Sequence, residues 1–281
     1  MPRSSDQRRA TTLSRLDFPD LCDVFPLEQG WLFTTKDGKG YQFHKGQIHY
    51  LYTDTVTSSH YVDGTILRDD ENGFARFAIE DGKLRELQRF TMEPKAARIL
   101  GYLEDNIYLE EPENKIISLP QGKVIELYES KGRFISHSFT AAKCLFVVYR
   151  NDQNHHHLSK YTTWVFSPEE NEQREYDFPI YGVYRHPTAG LLAVVNSERT
   201  EVRLPTGISM KLFNFPPYFR RYPVTFTRLG FANNYAAPLL MRLTPKGWIN
   251  VNLYSDMEKI LVSLDEKSQL VVSKTSILCY E

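Results

Sequence analysis

The chain has 281 residues, of which 41% are hydrophobic and 25% are charged, an ordinary balance for a globular protein. Its formal net charge is -1, so it lacks the positive excess that accompanies nucleic-acid binding over a whole surface. No stretch approaches the ~18 consecutive apolar residues that a membrane-spanning helix needs. These features argue against a nucleic-acid partner and against membrane insertion.

The first residues of the chain are polar and rich in arginine and serine, with little to bury. We expect residues 1–15 to form a disordered tail, and residues 16–281 to form a single all-β domain. No apolar region follows the polar start, so the sequence does not predict a secretory signal.

The three cysteines are Cys22, Cys144 and Cys279. Their number is odd, their spacings are wide, and no CxxC pair provides a framework for zinc. We predict three reduced thiols in a cytoplasmic protein. A disulfide between Cys22 and Cys279, joining the two ends of the chain, is the alternative.

From Gly30 onward, short apolar runs alternate with turn residues. Residues 31–35 and 41–44 flank an Asp-Gly turn, which predicts a β-hairpin. The same pattern continues through residues 270–272 and predicts about eighteen to twenty short strands. One window, residues 93–100, favours a helix of two or three turns that ends near Gly101, because Pro94 suits a first helical turn.

The strand-turn-strand units recur at intervals of roughly thirty to fifty residues, close to the ~40–45 residues of a four-stranded propeller blade. The sequence therefore predicts an all-β fold of short antiparallel strands, arranged as a propeller-like ring of about five blades. A β-sandwich, or two small β domains, is the alternative.

Three adjacent histidines, His155, His156 and His157, follow a polar run. At most two neighbouring side chains of an extended segment can reach one ion, so we interpret the tract as a solvated loop and predict no metal site. The sequence also has no phosphate-binding glycine loop and no nucleophile elbow. It predicts no cofactor.

Carboxylates offer an alternative function. Most acids lie in turns; Asp54 and Asp63 are better placed to project from inner strands of a ring, but nothing in the sequence pairs them. Glycosidases use two carboxylates across a cleft, so the alternative to a binding protein is a carbohydrate-active propeller enzyme of the glycoside hydrolase type.

The most unusual segment runs from residue 211 to residue 228 and reads KLFNFPPYFRRYPVTFTR. Aromatic and basic side chains alternate in it without an acid, and such residues dominate interface hot spots. The sequence predicts a non-enzymatic protein-binding module of the inhibitor, immunity or scaffold type, whose partner is another protein. The predicted contact residues are Phe215, Tyr218, Phe219, Arg220, Arg221 and Tyr222.

Overall fold

The computed structural model describes residues 10–14, 18, 20–27, 29–53, 59–62, 64–70, 73–80, 82–91, 98–111, 115–126, 133–151, 160–216, 224–226, 230–234, 239–250, 257–262, 269–273 and 276–280. Every regular element among these residues is a β-strand, so the predicted all-β class is confirmed. None of them forms a helix that could span a bilayer.

The first compact unit comprises residues 1–94 and 253–281. Its first sheet contains β2 (Leu21–Pro26), β3 (Trp31–Thr35), β4 (Lys39–His44) and β5 (Gln47–Thr53). Its second contains β6 (Ser59–Val62), β7 (Thr65–Asp70), β8 (Gly73–Glu80) and β9 (Lys83–Thr91). Its third joins both ends of the chain and contains β1 (Ala10–Ser14), β26 (Met257–Val262), β27 (Gln269–Ser273) and β28 (Ser276–Tyr280).

The pairing of β1 with β28 corrects the extent of the predicted tail. Residues 10–14 were expected to be disordered, yet they add a fourth antiparallel strand to this sheet, with Thr12 opposite Leu278. The segment is too short and polar to fold alone, and its order comes from hydrogen bonds to a strand that lies far away in sequence.

The second compact unit comprises residues 95–252 and holds four sheets. The first contains β10 (Arg98–Leu103), β11 (Asn106–Glu111), β12 (Lys115–Leu119) and β13 (Lys123–Glu126). The second contains β14 (Arg133–Ala141), β15 (Cys144–Asn151), β16 (Lys160–Ser167) and β17 (Glu172–Tyr176). The third contains β18 (Ile180–His186), β19 (Gly190–Val195), β20 (Glu201–Arg203) and β21 (Ser209–Asn214). The fourth contains β22 (Val224–Phe226), β23 (Phe231–Asn234), β24 (Leu239–Thr244) and β25 (Gly247–Asn250). Both units are all-β; that residues 16–281 form a single domain stays a prediction.

The helix predicted near Gly101 is wrong where the structure describes it. Residues 98–103 form β10, which pairs with β11 through a two-residue turn, Glu104–Asp105. Both turn residues have positive φ, 52° and 60°, which is the geometry of a tight hairpin whose twist matches its strands. Pairing with β11 therefore outweighs the local helical preference. Residues 93–97 lie outside the described part of the chain.

The described residues form seven four-stranded sheets, not the five or so that the sequence predicted. The first strands of the seven runs along the chain begin at residues 21, 59, 98, 133, 180, 224 and 257. These intervals of 33 to 47 residues agree with a blade-sized repeat.

β15, the second strand of its sheet, is deeply buried. Along β15, Cys144 and Phe146 face one core cluster, whereas Leu145 and Val147 face another. Alternate residues of a strand point to opposite faces, so this strand is covered on both sides. Its continuous apolar run, with every residue from 144 to 149 buried, follows from that position.

Candidate functional site

Of the six predicted contact residues, the structure describes Phe215. It follows directly after β21, and its side chain is only 9% exposed. It is therefore a core residue with little surface to offer a partner. Tyr218, Phe219, Arg220, Arg221 and Tyr222 lie outside the described residues, and their role stays a prediction.

Phe215 packs between two other aromatic rings. Its centroid lies 5.7 Å from that of Trp248 at an interplanar angle of 18°, and 5.5 Å from that of Tyr181. The indole Nε1 of Trp248 donates a hydrogen bond of 2.8 Å to the carbonyl oxygen of Asn214, the residue before Phe215. A ring contact at Phe215 and a hydrogen bond to the Asn214 carbonyl oxygen thus hold the chain just before residues 218–222, which we call the contact segment.

These rings belong to a longer series that we call the aromatic row. Tyr181 stacks on His137 at 6.1 Å and 7°, and His137 stacks on Phe139 at 6.2 Å and 12°. Phe139 in turn stacks on Phe146 at 4.8 Å and 5°. The row connects three successive sheets of the second unit, and its members are Phe146, Phe139, His137, Tyr181, Phe215 and Trp248.

Two β-bulges determine where the side chains of His137 and Tyr181, in the middle of this row, point. The register of β14 shifts between Ile135 and His137, and that of β18 shifts between Ile180 and Gly182. Because a bulge adds one residue, Ile135 packs toward the core of sheet β10–β13, while His137 stacks toward sheet β18–β21. Tyr181 is itself the extra residue of the second bulge, which places its ring between His137 and Phe215.

His137 is a neutral member of the row at pH 7. Burial lowers its pKa, the nearby Arg98 guanidinium lowers it further, and a backbone hydrogen bond at Ile180 partly opposes both effects. Arg98 Nη1 donates a 2.9 Å hydrogen bond to the carbonyl oxygen of Ile135, which brings its charge to β14. An uncharged imidazole can stack between Phe139 and Tyr181 without a buried charge that needs compensation.

The sheet before the contact segment has an exchanged strand order, β18-β19-β21-β20. β21 runs parallel to β19, with Leu191 opposite Met210, and antiparallel to β20, with Glu201 opposite Lys211. The four strands still alternate in direction along the chain. Compared with the order of the chain, only β20 and β21 have exchanged places in the sheet. The last strand therefore ends inside the sheet, and Phe215 leaves it directly into the core.

Hydrogen bonds fasten this exchange. The backbone N–H of Ser197 donates to Asn214 Oδ1 at 3.0 Å, and Asn214 Nδ2 donates back to the Ser197 carbonyl oxygen at 2.8 Å. The N–H of Leu212 also donates to the carbonyl oxygen of Thr200 at 2.8 Å. The connection from β19 to β20 is thereby tied to β21, at the same residue whose carbonyl accepts the bond from Trp248.

Cys22, Cys144 and Cys279 are all free thiols, as the sequence predicted, and the alternative Cys22–Cys279 bridge is not formed. Burial raises the pKa of Cys144 to about 11, so its thiol is neutral and unsuited to nucleophilic attack. Among the described residues, no group of three His, Cys, Asp or Glu side chains could hold a metal ion.

The remaining chemical candidates are not described. His155, His156 and His157, as well as Asp54 and Asp63, lie outside the described residues, so the metal-site and glycosidase alternatives stay untested hypotheses. Among the described carboxyls, Glu110 is partly buried: burial raises its pKa, and the Arg98 guanidinium partly opposes that rise.

Sequence reasoning identified one member of the aromatic row, Phe215, and missed the other five. A short pattern could have indicated His137 and Tyr181. In the first strand of a sheet, an apolar residue is followed two positions later by a polar or small one, as in Ile135-Ser136-His137 and Ile180-Tyr181-Gly182. The same register shift recurs in β2, β10 and β26. A bulge at this position is therefore a repeated feature of the fold.

No protein-family model matches the sequence, and no curated protein matches it either. Solved structures do. A chain in the crystal structure of the mitotic checkpoint complex has a TM-score of 0.55 at 10% identity, covering 100% of this chain and 96% of that one. BamB from Moraxella catarrhalis has a TM-score of 0.50 at 13% identity, covering 96% of both chains.

A third similar structure is BBS1N in complex with ARL6DN, with a TM-score of 0.50 at 9% identity and coverage of 92% of this chain and 90% of that one. These neighbours are WD40 or propeller-type proteins. At such low identity the likeness defines the fold alone. The chain has a propeller-type all-β fold, which confirms the class that the sequence predicted.

Proposed function

We propose that this chain is a non-enzymatic protein-binding module of the inhibitor, immunity or scaffold type, and that it works in the cytoplasm. Its propeller-type fold supports this proposal, because a frame of short, paired strands presents its connecting segments on a rigid base. Two of the similar solved structures are named as complexes, the mitotic checkpoint complex and BBS1N with ARL6DN.

The aromatic row is the observation that carries the proposal. It fixes Phe215 and Trp248 at the root of the segment that contains Tyr218, Arg220 and Arg221. A contact segment that begins on a packed ring loses less conformational entropy on binding than one that hangs from a mobile loop. The row thus pre-organises the entry to the proposed contact.

Tyr218 and Arg221 are the proposed hot spots of this contact. Tyrosine combines a large apolar ring with a hydroxyl group, and arginine offers a planar set of donors, so both residue types are enriched where truncation is costly. We expect the double substitution Tyr218→Ala with Arg221→Ala to weaken binding of the partner by more than about 2 kcal/mol, which is roughly 30-fold in Kd.

The experiment begins with native purification of the chain and identification of co-purifying proteins by mass spectrometry. The partner is then titrated against the purified chain, the double variant and a matched control, Tyr50→Ala with Arg85→Ala. The control removes the same residue types from exposed positions of the first unit. Equal affinities for the double variant and the original chain would remove this segment from the contact.

A further inference from the structure

Strand β5 forms the outer edge of the first sheet. First strands of different sheets contact one another, as β2 does with β26 and β10 with β14, so the outer edge of a sheet is the one opposite its first strand. In the first sheet that edge is β5, which pairs with β4 alone among the described strands. The unpaired backbone groups of such an edge can pair with another extended chain.

Charged side chains protect most outer edges of this protein, but not β5. The outer strands of four other sheets, β9, β13, β17 and β20, all contain Lys, Arg or Glu. β5 has none of these, no Asp and no proline over its seven residues, Gln47–Thr53. The outer strands β1 and β25 are also uncharged but have only five and four residues. Of the described outer strands, β5 is thus the longest without the usual protection.

The turn before β5 determines which of its backbone groups face outward. Lys45 and Gly46 have φ angles of 48° and 75°, the geometry of a two-residue hairpin turn whose hydrogen bonds hold Gln47 against β4. Bonded and non-bonded pairs alternate along an antiparallel ladder. The N–H and C=O groups of Ile48 and Tyr50 therefore point away from β4.

The same two residues have the most exposed apolar side chains of β5. Ile48 is 41% exposed and Tyr50 is 55% exposed. The ring of Tyr50 nevertheless has a fixed environment, because it packs edge-on against Tyr41 at 5.8 Å and its hydroxyl lies 2.6 Å from Thr53 Oγ1. The edge thus presents outward backbone groups beside an ordered apolar surface.

We propose that β5 pairs with the β5 strand of a second copy of this chain, antiparallel and about a two-fold axis at His49. In this register Ile48 of one copy stands opposite Tyr50 of the other, and the same pair recurs on the other side of the axis. A tyrosine beside a β-branched residue is a favourable cross-strand contact. The inference goes beyond the proposed function and does not rest on it.

Two arguments favour a second copy over a segment of another protein. A second copy supplies a strand that is already formed, whereas a flexible segment loses conformational entropy when it is ordered on the edge. Two identical strands also bring like charges together wherever the strand is charged, which disfavours self-pairing of β9, β13, β17 and β20 but not of β5.

The small size of the edge predicts a weak dimer. Ile48 and Tyr50 expose about 200 Å² of surface, so two copies bury about 400 Å² through these side chains. The bulge at Leu51 ends the regular ladder. Stable interfaces bury about 1,200–2,000 Å², so we expect a Kd of about 100 µM. At the low micromolar concentrations of a partner titration the chain is then monomeric, and Tyr50 remains a valid control position there.

The test is sedimentation velocity of the full chain between about 5 and 500 µM, over which it should change from monomer to mostly dimer. The variant Ile48→Lys with Tyr50→Lys should weaken the dimer at least about tenfold. Its matched control, Leu87→Lys with Val124→Lys, adds the same two charges at residues that are 40% and 49% exposed on β9 and β13, and should change Kd less than about twofold. Circular dichroism checks that each variant is folded.

Hydrogen exchange measured by NMR locates the pairing. In concentrated samples the N–H groups of Ile48 and Tyr50 should exchange more slowly than in dilute ones, while that of His49, which is bonded to β4, should not change. Ile48→Pro provides a second variant, because it removes an outward N–H without removing a hydrogen bond to β4. It should weaken the dimer as the lysine variant does.

A chain that stays monomeric at about 500 µM would overturn the inference. So would equal losses in the two lysine variants, a dimer that persists in Ile48→Pro, or concentration-dependent protection that leaves out Ile48 and Tyr50. Tighter binding of a Thr-Val-Thr-Val-Thr peptide than of a second copy would assign the edge to a foreign strand and overturn it too. A chain that binds its partner through the contact segment but never dimerises would refute this inference and leave the proposed function intact.

Discussion

Removing the ring of Phe215 should destabilise the protein strongly. The side chain is 9% exposed and contacts the rings of Tyr181 and Trp248. Truncation to alanine withdraws about 120 Å² of buried apolar surface, worth about 3 kcal/mol. Each of the two lost aromatic contacts adds about 0.5–1 kcal/mol, so Phe215→Ala should lower the free energy of unfolding by about 4–5 kcal/mol.

The assay is equilibrium urea unfolding, followed by tryptophan fluorescence and far-UV circular dichroism. Phe134→Ala is the matched control, because Phe134 lies on a strand of the same unit and its ring is 61% exposed. It should cost less than about 1 kcal/mol. If Phe215→Ala costs no more than Phe134→Ala, the aromatic row does not anchor the contact segment and the reasoning is refuted.

Three further substitutions test the frame. Gly30 and Gly46 have similar positive φ angles, 80° and 75°. A Cβ added to Gly30 would collide with a backbone carbonyl of β4, whereas a Cβ added to Gly46 would contact nothing. Gly30→Ala should therefore lower the free energy of unfolding in urea by about 2 kcal/mol more than Gly46→Ala. Thr163→Val leaves the buried N–H of Ile180 without its acceptor and should cost about 1–3 kcal/mol, which Thr163→Ser should largely restore. The pKa of His137 lies below its ordinary 6.5, so neutral His137 contributes to stability above pH 6.5, and that contribution is lost as the pH falls below 6.5. His137→Phe should therefore reduce the loss of stability between pH 7.5 and pH 5.5. An unchanged loss in this variant would contradict the account.

Alternation of apolar and polar residues sufficed to predict the all-β class. Strands such as β3 and β4, joined through the Asp-Gly turn, are specified by local chemistry alone. The number of sheets was harder to predict, because turns such as Glu104–Asp105 and Ala142–Lys143 adopt positive φ without a glycine. Such turns have no compositional mark, so neighbouring strands could not be separated by reading the chain.

The candidate site was less accessible to sequence reasoning. The mixture of aromatic and basic residues singled out residues 211–228 as a candidate contact, but no local pattern shows that Phe215 is buried or that His137 lies beside Tyr181. Those contacts depend on two bulges and on an exchanged strand order, and both are set by pairing between distant residues. Register of that kind is a tertiary property of the chain.

The proposed binding of a protein through residues 211–228 is tested most directly by hydrogen–deuterium exchange of the chain with and without its captured partner. Slower exchange is predicted for residues 211–228 in the complex, and unchanged exchange for residues 31–53 of the first unit. Protection restricted to residues 31–53, with no change between residues 211 and 228, would contradict the account.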